Sequence, residues 1–189
     1  MVVKNVILAI KTSLENMDKN YCKSSYKDYF QIELNSLKKC LAERKYLERP
    51  FVYEFYHQLR KLLQNGEVDL GGPITQAGID KVHKHYSGNE KIPDFIICVP
   101  NISPNLAAIE FRHTSNPTRI ESDLKKLAEL RREFGYSYVI EVIFGDEASL
   151  KNLKKYLYEL SDPQGEKIMF VDFCVDLGKV SAGMIGYTG

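Results

Sequence analysis

Charge of one sign is what this sequence lacks most. Its 26 basic and 25 acidic side chains leave a net of +1 across 189 residues. The chain as a whole is therefore not a polycation built for nucleic acid, and any anionic partner has to be met by a local patch. Cysteine is scarce and scattered. Cys22, Cys40, Cys98 and Cys174 form no CxxC pair, and no histidine stands at metal-finger spacing, which argues against a zinc site. Cys98 and Cys174 lie inside apolar runs and read as small core residues. Long hydrophobic runs are missing too. The opening MVVKNVILAIKTSLENM is too short and too mixed for a membrane span, and it has no small-residue cleavage site. The expectation is a cytoplasmic protein with no membrane partner. There is no internal repeat and no low-complexity stretch, and the absence of tryptophan excludes nothing. What is present is globular: 44% hydrophobic and 27% charged residues, in a length normal for one domain with a full core.

The first part of the chain reads helical. Val3, Val6, Ile7, Ile10, Leu14 and Met17 stand at helical spacing over residues 3–17. Residues 24–46 repeat the pattern with Tyr26, Phe30, Leu34, Leu37 and Leu41, and Ser24 or Ser25 suits the cap. Pro50 suits the first turn of a third helix that Gly66 ends. Residues 67–90 are Gly-rich and read as a strand or turn, a short helix near Ile79–Tyr86, and a loop. Two apolar runs follow, Phe95–Val99 and Leu106–Phe111, joined by the turn-forming PNISPN. An amphipathic helix over 118–134 ends at Gly135. Then come a strand (YSYVIEVIFG), a helix (EASLKNLKKYLYEL) and a strand (KIMFVDFCVDL). Strands alternating with helices predict an α/β fold with a mostly buried mixed sheet. The expected organisation is a single domain over 1–189: a helical N-terminal segment (1–49), an α/β core (50–177) and a Gly-rich tail (178–189).

Chemistry concentrates in KIPDFIICVPNISPNLAAIEFRHTSN, residues 91–116. Side chains alternate faces along a strand, so Glu110 and Arg112 share one face. Both faces are apolar up to Glu110, as in a central strand covered on both sides, and a carboxylate there is costly unless paired or metal-bound. If the two runs form an antiparallel pair, the start of the first lies beside the end of the second, and Asp94 meets Glu110. Two adjacent carboxylates repel unless a cation sits between them. Hard oxygen ligands of this kind suit magnesium or manganese.

Pro93-Asp94, a fifteen-residue gap, and Glu110-Phe111-Arg112 resemble the motif of the PD-(D/E)XK nuclease superfamily, in which Pro-Asp stands on one strand and Asp or Glu, a spacer and Lys stand on the next. A helix before the motif and a helix and strand after it also match, so the resemblance covers roughly residues 50–145. It implies a restriction-endonuclease-like mixed β-sheet core flanked by helices. It implies a metal-dependent nuclease that hydrolyses phosphodiester bonds of DNA, with RNA the other substrate. Asp94 and Glu110 would hold one or two Mg or Mn ions, with Glu54, on the helix before the motif, as accessory ligand. Arg112 stands where the family has Lys. Arginine offers fork-like contacts to a phosphate but does not accept a proton. Some members of the family place the lysine on the following helix, and Lys125 or Lys126 is then the substitute. The alternative function is a nuclease-like domain that has lost cleavage and serves as a nucleic-acid or protein binding module.

Plainer readings stand beside these. Pro-Asp is also a common turn pair, and Glu110 with Arg112 is also a same-face ion pair. Glu54 falls outside the apolar stripe Phe51, Val52, Phe55, Leu59, Leu62, which predicts a solvated side chain. Of the four histidines, His113 directly follows the motif and is the one placed to contact a phosphate. Most basic pairs on helices are solvated faces. Arg119, in the first turn of the 118–134 helix, is placed with the helix N-terminus to hold a phosphate. Tyr53, Tyr56 and Tyr86 offer rings for stacking on bases, although helical aromatics are more often core. Besides nucleic acid, a second copy of the chain remains a candidate partner.

Overall fold

The computed structural model describes residues 2–18, 48–70, 74–75, 93–97, 106–114 and 117–188. Among these residues four helices, α1 (Val2–Glu15), α2 (Glu48–Gln64), α3 (Pro117–Phe134) and α4 (Glu147–Glu159), accompany one sheet. Its strands are β1 (Ile74–Thr75), β2 (Phe95–Ile97), β3 (Ala107–His113), β4 (Tyr138–Gly145), β5 (Glu166–Cys174) and β6 (Lys179–Tyr187), and their order in space is their order in sequence. β1, β2 and β3 are mutually antiparallel, β3, β4 and β5 are parallel, and β6 returns antiparallel to β5. The chain is α/β with a mixed sheet, as its alternating periodicities predict. The helix expected over 24–46, the short helix near 79–86 and the connection 98–105 lie outside the described residues, as do Cys22, Cys40 and Cys98.

The central strands are apolar on both faces because both faces are covered. On one face Phe95, Ile109, Phe111, Val142, Phe144 and Phe173 meet α1 and α2. Helix α2 contributes Phe51, Phe55, Leu59 and Leu62, one stripe at helical spacing, all buried. The Phe51 ring stacks on Phe144 at 3.8 Å and 6°. On the other face Ile96, Ala108, Val139, Ile143 and Phe170 meet α3 and α4 through Ile120, Leu124, Leu127, Leu150, Leu153 and Leu157. Asp146 caps α4, its carboxylate accepting from Ser149 N and Oγ at 2.9 Å each. Gly135, at φ 67°, ends α3 in the left-handed region that glycine occupies without strain. The parallel pairs β3–β4 and β4–β5 are each bridged by a helix on this second face, so anything on α3 hangs over β3 and β4.

Within the N-terminal helical segment, α1 belongs to the core: Val6, Ile10 and Leu14 are buried in the same core as α2. One expectation changes: the stretch from Gly178 onward is not a tail. It forms β6, paired with β5 from Glu166↔Tyr187 to Cys174↔Lys179. Its glycines weaken strand propensity, yet they are where the neighbours come closest. A Cβ on Gly183 would lie 2.3 Å from the Phe170 ring, and one on Gly186 would lie 1.8 Å from Asp162 O.

Candidate functional site

The antiparallel register Phe95↔Ile109 and Ile96↔Ala108, taken one step further, sets Asp94 across from Glu110. Asp94 is half-buried, and its Oδ2 accepts from Phe111 N at 2.9 Å. That contact ties the start of β2 to β3. The parallel register Glu110↔Glu141 sets a second glutamate beside Glu110 on the next strand. Asp94, Glu110 and Glu141 thus form a row across three neighbouring strands, whose spacing is about 4.8 Å. The row sits on the face that α3 covers. Glu110 is 1% exposed and Glu141 fully buried.

Helix α3 brings two charged groups onto this row. Asp123 stands three residues after Ile120 and one before Leu124, inside the apolar stripe, and is buried there. Lys126 is one turn further on. Its Nζ lies 2.5 Å from Glu110 Oε1 and 4.0 Å from Asp123 Oδ1. The approach to Glu110 is a close ion pair. Arg112, near the end of β3, reaches both helical layers. Nε donates to Asp123 Oδ2 at 2.5 Å, and Nη1 donates to Glu48 Oε1 and Oε2 at 3.3 and 3.1 Å. The guanidinium therefore clamps the start of α2 to α3 around the end of the strand.

Burial sets the electrostatics. It pushes the Glu110 carboxyl well above its ordinary range, helped by the charge of Asp94 and opposed by Lys126. Glu141 is raised in the same direction, first by burial and then by Asp123 and Glu110, with Arg112 opposing. Glu48 is raised more modestly, because burial outweighs Arg112. Burial lowers Arg112, but the hydrogen bond and charge of Asp123, together with Glu48, more than offset it, and the net shift is upward. Among the described residues neither oxygen of Glu141 has a hydrogen-bond partner, an unusual state for a buried carboxyl.

The structure brings together Asp94, Glu110, Arg112 and Lys126 of the residues singled out in the sequence, and it does not bring the others. Lys125 is exposed; one residue along a helix turns the side chain by about 100°. Arg119 is exposed near Glu48, whose carboxyl it pulls downward. His113 belongs to the opposite face, half-buried with its ring edge on Phe144 at 5.4 Å, and burial lowers its pKa. Glu54 is neither solvated nor in the row. It is 7% exposed, and its Oε1 accepts from Gln58 Nε2 at 2.6 Å and Asp18 N at 3.4 Å. The cause is α1, which runs beside α2 and covers that flank. The α2 carboxylate that reaches the site is Glu48. Glu48, Asp123 and Glu141 were not anticipated, yet two of them carry a signal. Asp123 interrupts an apolar stripe and Glu141 interrupts the apolar run YVIEVIFG, and a charge in either place needs a partner.

A hard divalent cation fits this donor set in its chemistry, through carboxylate oxygens and two buried glutamates with unsatisfied atoms. The side chains are not preassembled for one. Among the described residues no group of three or more His, Cys, Asp or Glu surrounds a common point. Lys126 and Arg112 instead supply the positive charge. Among the described residues no helix is long and apolar enough to cross a membrane. No protein-family model, curated protein or solved structure matches the chain.

Proposed function

We propose that this chain is a metal-dependent phosphodiesterase with a restriction-endonuclease-like core, cutting DNA ahead of RNA. One observation carries the reading: Lys126, on the helix after the motif, stands 2.5 Å from Glu110. An Asp-Glu-Lys set is thereby present although the motif position itself is Arg112. The order of elements supports it: α2 before the motif, the antiparallel motif strands β2 and β3, α3 after them, and β4 alongside β3.

In this reading Asp94 and Glu110 hold Mg or Mn. When bound, the metal polarises the scissile phosphate and lowers the pKa of the attacking water. The chain's own residues do the rest. Phe111 N keeps the Asp94 carboxylate aimed along β3. Lys126 offers an ammonium beside Glu110, where negative charge develops on a phosphate. Arg112, engaged by Asp123 and Glu48, holds α3 over the strands and so positions Lys126. Arg119 adds an exposed cation at the start of α3.

The test is cleavage of plasmid, single-stranded DNA and RNA in magnesium or manganese. Asp94→Ala and Glu110→Ala should abolish it, and Lys126→Ala should lower it by about 100-fold or more, as for loss of one charge-stabilising donor. Activity that survives both carboxylate variants defeats the assignment. The second reading, a nuclease-like binding module that no longer cuts, draws on the depth of Glu110 and the full engagement of Arg112. Metal-independent retention of nucleic acid with no cleavage under any of these conditions would favour it.

A further inference from the structure

Glu141 has no role in the motif, yet it is the least accommodated charged side chain in the described core. It is fully buried, flanked in sequence by the core residues Ile140 and Val142, and among the described residues neither carboxylate oxygen has a hydrogen-bond partner. An apolar residue there would carry no desolvation penalty, whereas a buried unpaired carboxyl is expensive. Three of the four charged groups that act on it are themselves acids, Asp123, Glu110 and Asp94; the fourth is Arg112. Its partner in the β3–β4 register is Glu110, the glutamate that Lys126 approaches.

We infer that Glu141 is a third carboxylate of a divalent-cation site shared with Glu110 and Asp94, and that Lys126 competes with the cation for the Glu110 oxygen. The inference rests on the metal-dependent reading above and extends it with a residue outside the motif. Adjacent strands stand about 4.8 Å apart, so two facing carboxylates converge on one ion at first-contact lengths near 2 Å with only side-chain rotation. Three oxygens from hard donors suit magnesium or manganese and leave places for water or a phosphate oxygen. Competition gives Lys126 two stations: on Glu110, and, when displaced, free to meet a phosphate from the same helix.

Manganese binding to the full chain, followed by calorimetry and by the loss of the free-ion paramagnetic resonance signal, tests this without any cleavage readout. Wild type should bind Mn2+, Glu141→Gln should bind it about tenfold or more weakly, and Lys126→Met should bind it several-fold more tightly. A Glu141→Gln affinity within about twofold of wild type overturns the inference. So does a Lys126→Met variant that binds no more tightly, and this arm decides alone if Glu141→Gln does not fold. So does a wild-type chain that takes up no Mn2+ at millimolar concentration. The nuclease reading fails separately: a chain that binds Mn2+ with these variant effects but cuts no nucleic acid keeps the site and loses the activity. Conversely, cleavage that needs Asp94 and Glu110 while Glu141→Gln binds Mn2+ normally keeps the activity and removes Glu141 from the site.

Discussion

Replacing Arg112 with methionine tests whether this arginine is a structural clamp, with the chemistry left to Lys126. The side chain is 12% exposed, Asp123 8% and Glu48 38%. The Glu48 arm is open to water, and an ion pair of that kind contributes no more than about 1 kcal/mol. The Asp123 arm is buried on both sides. Among the described residues, removing the guanidinium leaves Asp123 with only Lys126, at 4.0 Å, as a paired compensating charge. That places the loss near the low end of the range for breaking a buried pair, about 3 kcal/mol. In a chain of this size such a loss lowers the melting temperature by roughly 6–12 °C. Urea unfolding of Arg112→Met, Asp123→Asn and the double variant should show a coupling of about 2 kcal/mol, because once Asp123 is neutral the arginine has less to hold. Arg112→Lys should recover only part of the stability, since one ammonium does not span Asp123 and Glu48. On the proposed nuclease reading it should not raise cleavage, because Lys126 already stands beside Glu110. A loss under about 1 kcal/mol for Arg112→Met, against the 3 expected for a buried pair, would refute the clamp; so would a gain of activity in Arg112→Lys.

Stability should depend on pH through Glu141. Burial, then Asp123 and Glu110, hold its carboxyl well above the ordinary range against Arg112, with Asp94 adding to the rise. The folded chain keeps a proton that the unfolded chain releases, so this contribution is whole below the ordinary glutamate pKa and is lost as pH rises towards the folded one. The slope reaches at most about 1.4 kcal/mol per pH unit. Glu141→Gln should flatten it in urea titrations run from roughly pH 4 to 8, and an unchanged slope would contradict the assignment. Gly186→Ala should cost about 1–3 kcal/mol by overpacking. Its Cβ would sit 1.8 Å from Asp162 O, and Asp162 N already donates to Gly186 O at 2.8 Å, so the two backbones have little freedom to part. An unfolding midpoint equal to wild type would show that the turn at 161–165 yields instead.

Much of the site was legible because strands alternate strictly. Glu110 and Arg112 had to share a face, and a short connection between two apolar runs had to return Asp94 towards Glu110. Both follow from local geometry, and the β2–β3 register carries them out. Glu54 was misread because a helix stripe defined by its largest apolar residues does not reveal a second helix on its flank; α1 buries Glu54 and leaves Glu48 for the site. The C-terminal strand was misread for a related reason. Gly183 and Gly186 look like flexibility in a list of residues, and they are close approaches in the sheet.

The sequence by itself determined the α/β class, the two-faced burial of the central strands and the meeting of two carboxylates, because these depend on periods of 2 and 3.6 residues and on one turn. Only the tertiary structure decided which lysine meets Glu110. Lys125 and Lys126 differ by about 100° around α3, and the docking of Ile120, Leu124 and Leu127 on the sheet turns Lys126 towards Glu110 and Lys125 to solvent. The same docking, with the parallel register of β3 and β4, gathered Asp123 and Glu141 around Glu110. These residues are 13 to 31 positions apart from one another or from Glu110, and nothing local in the chain records such a distance being closed.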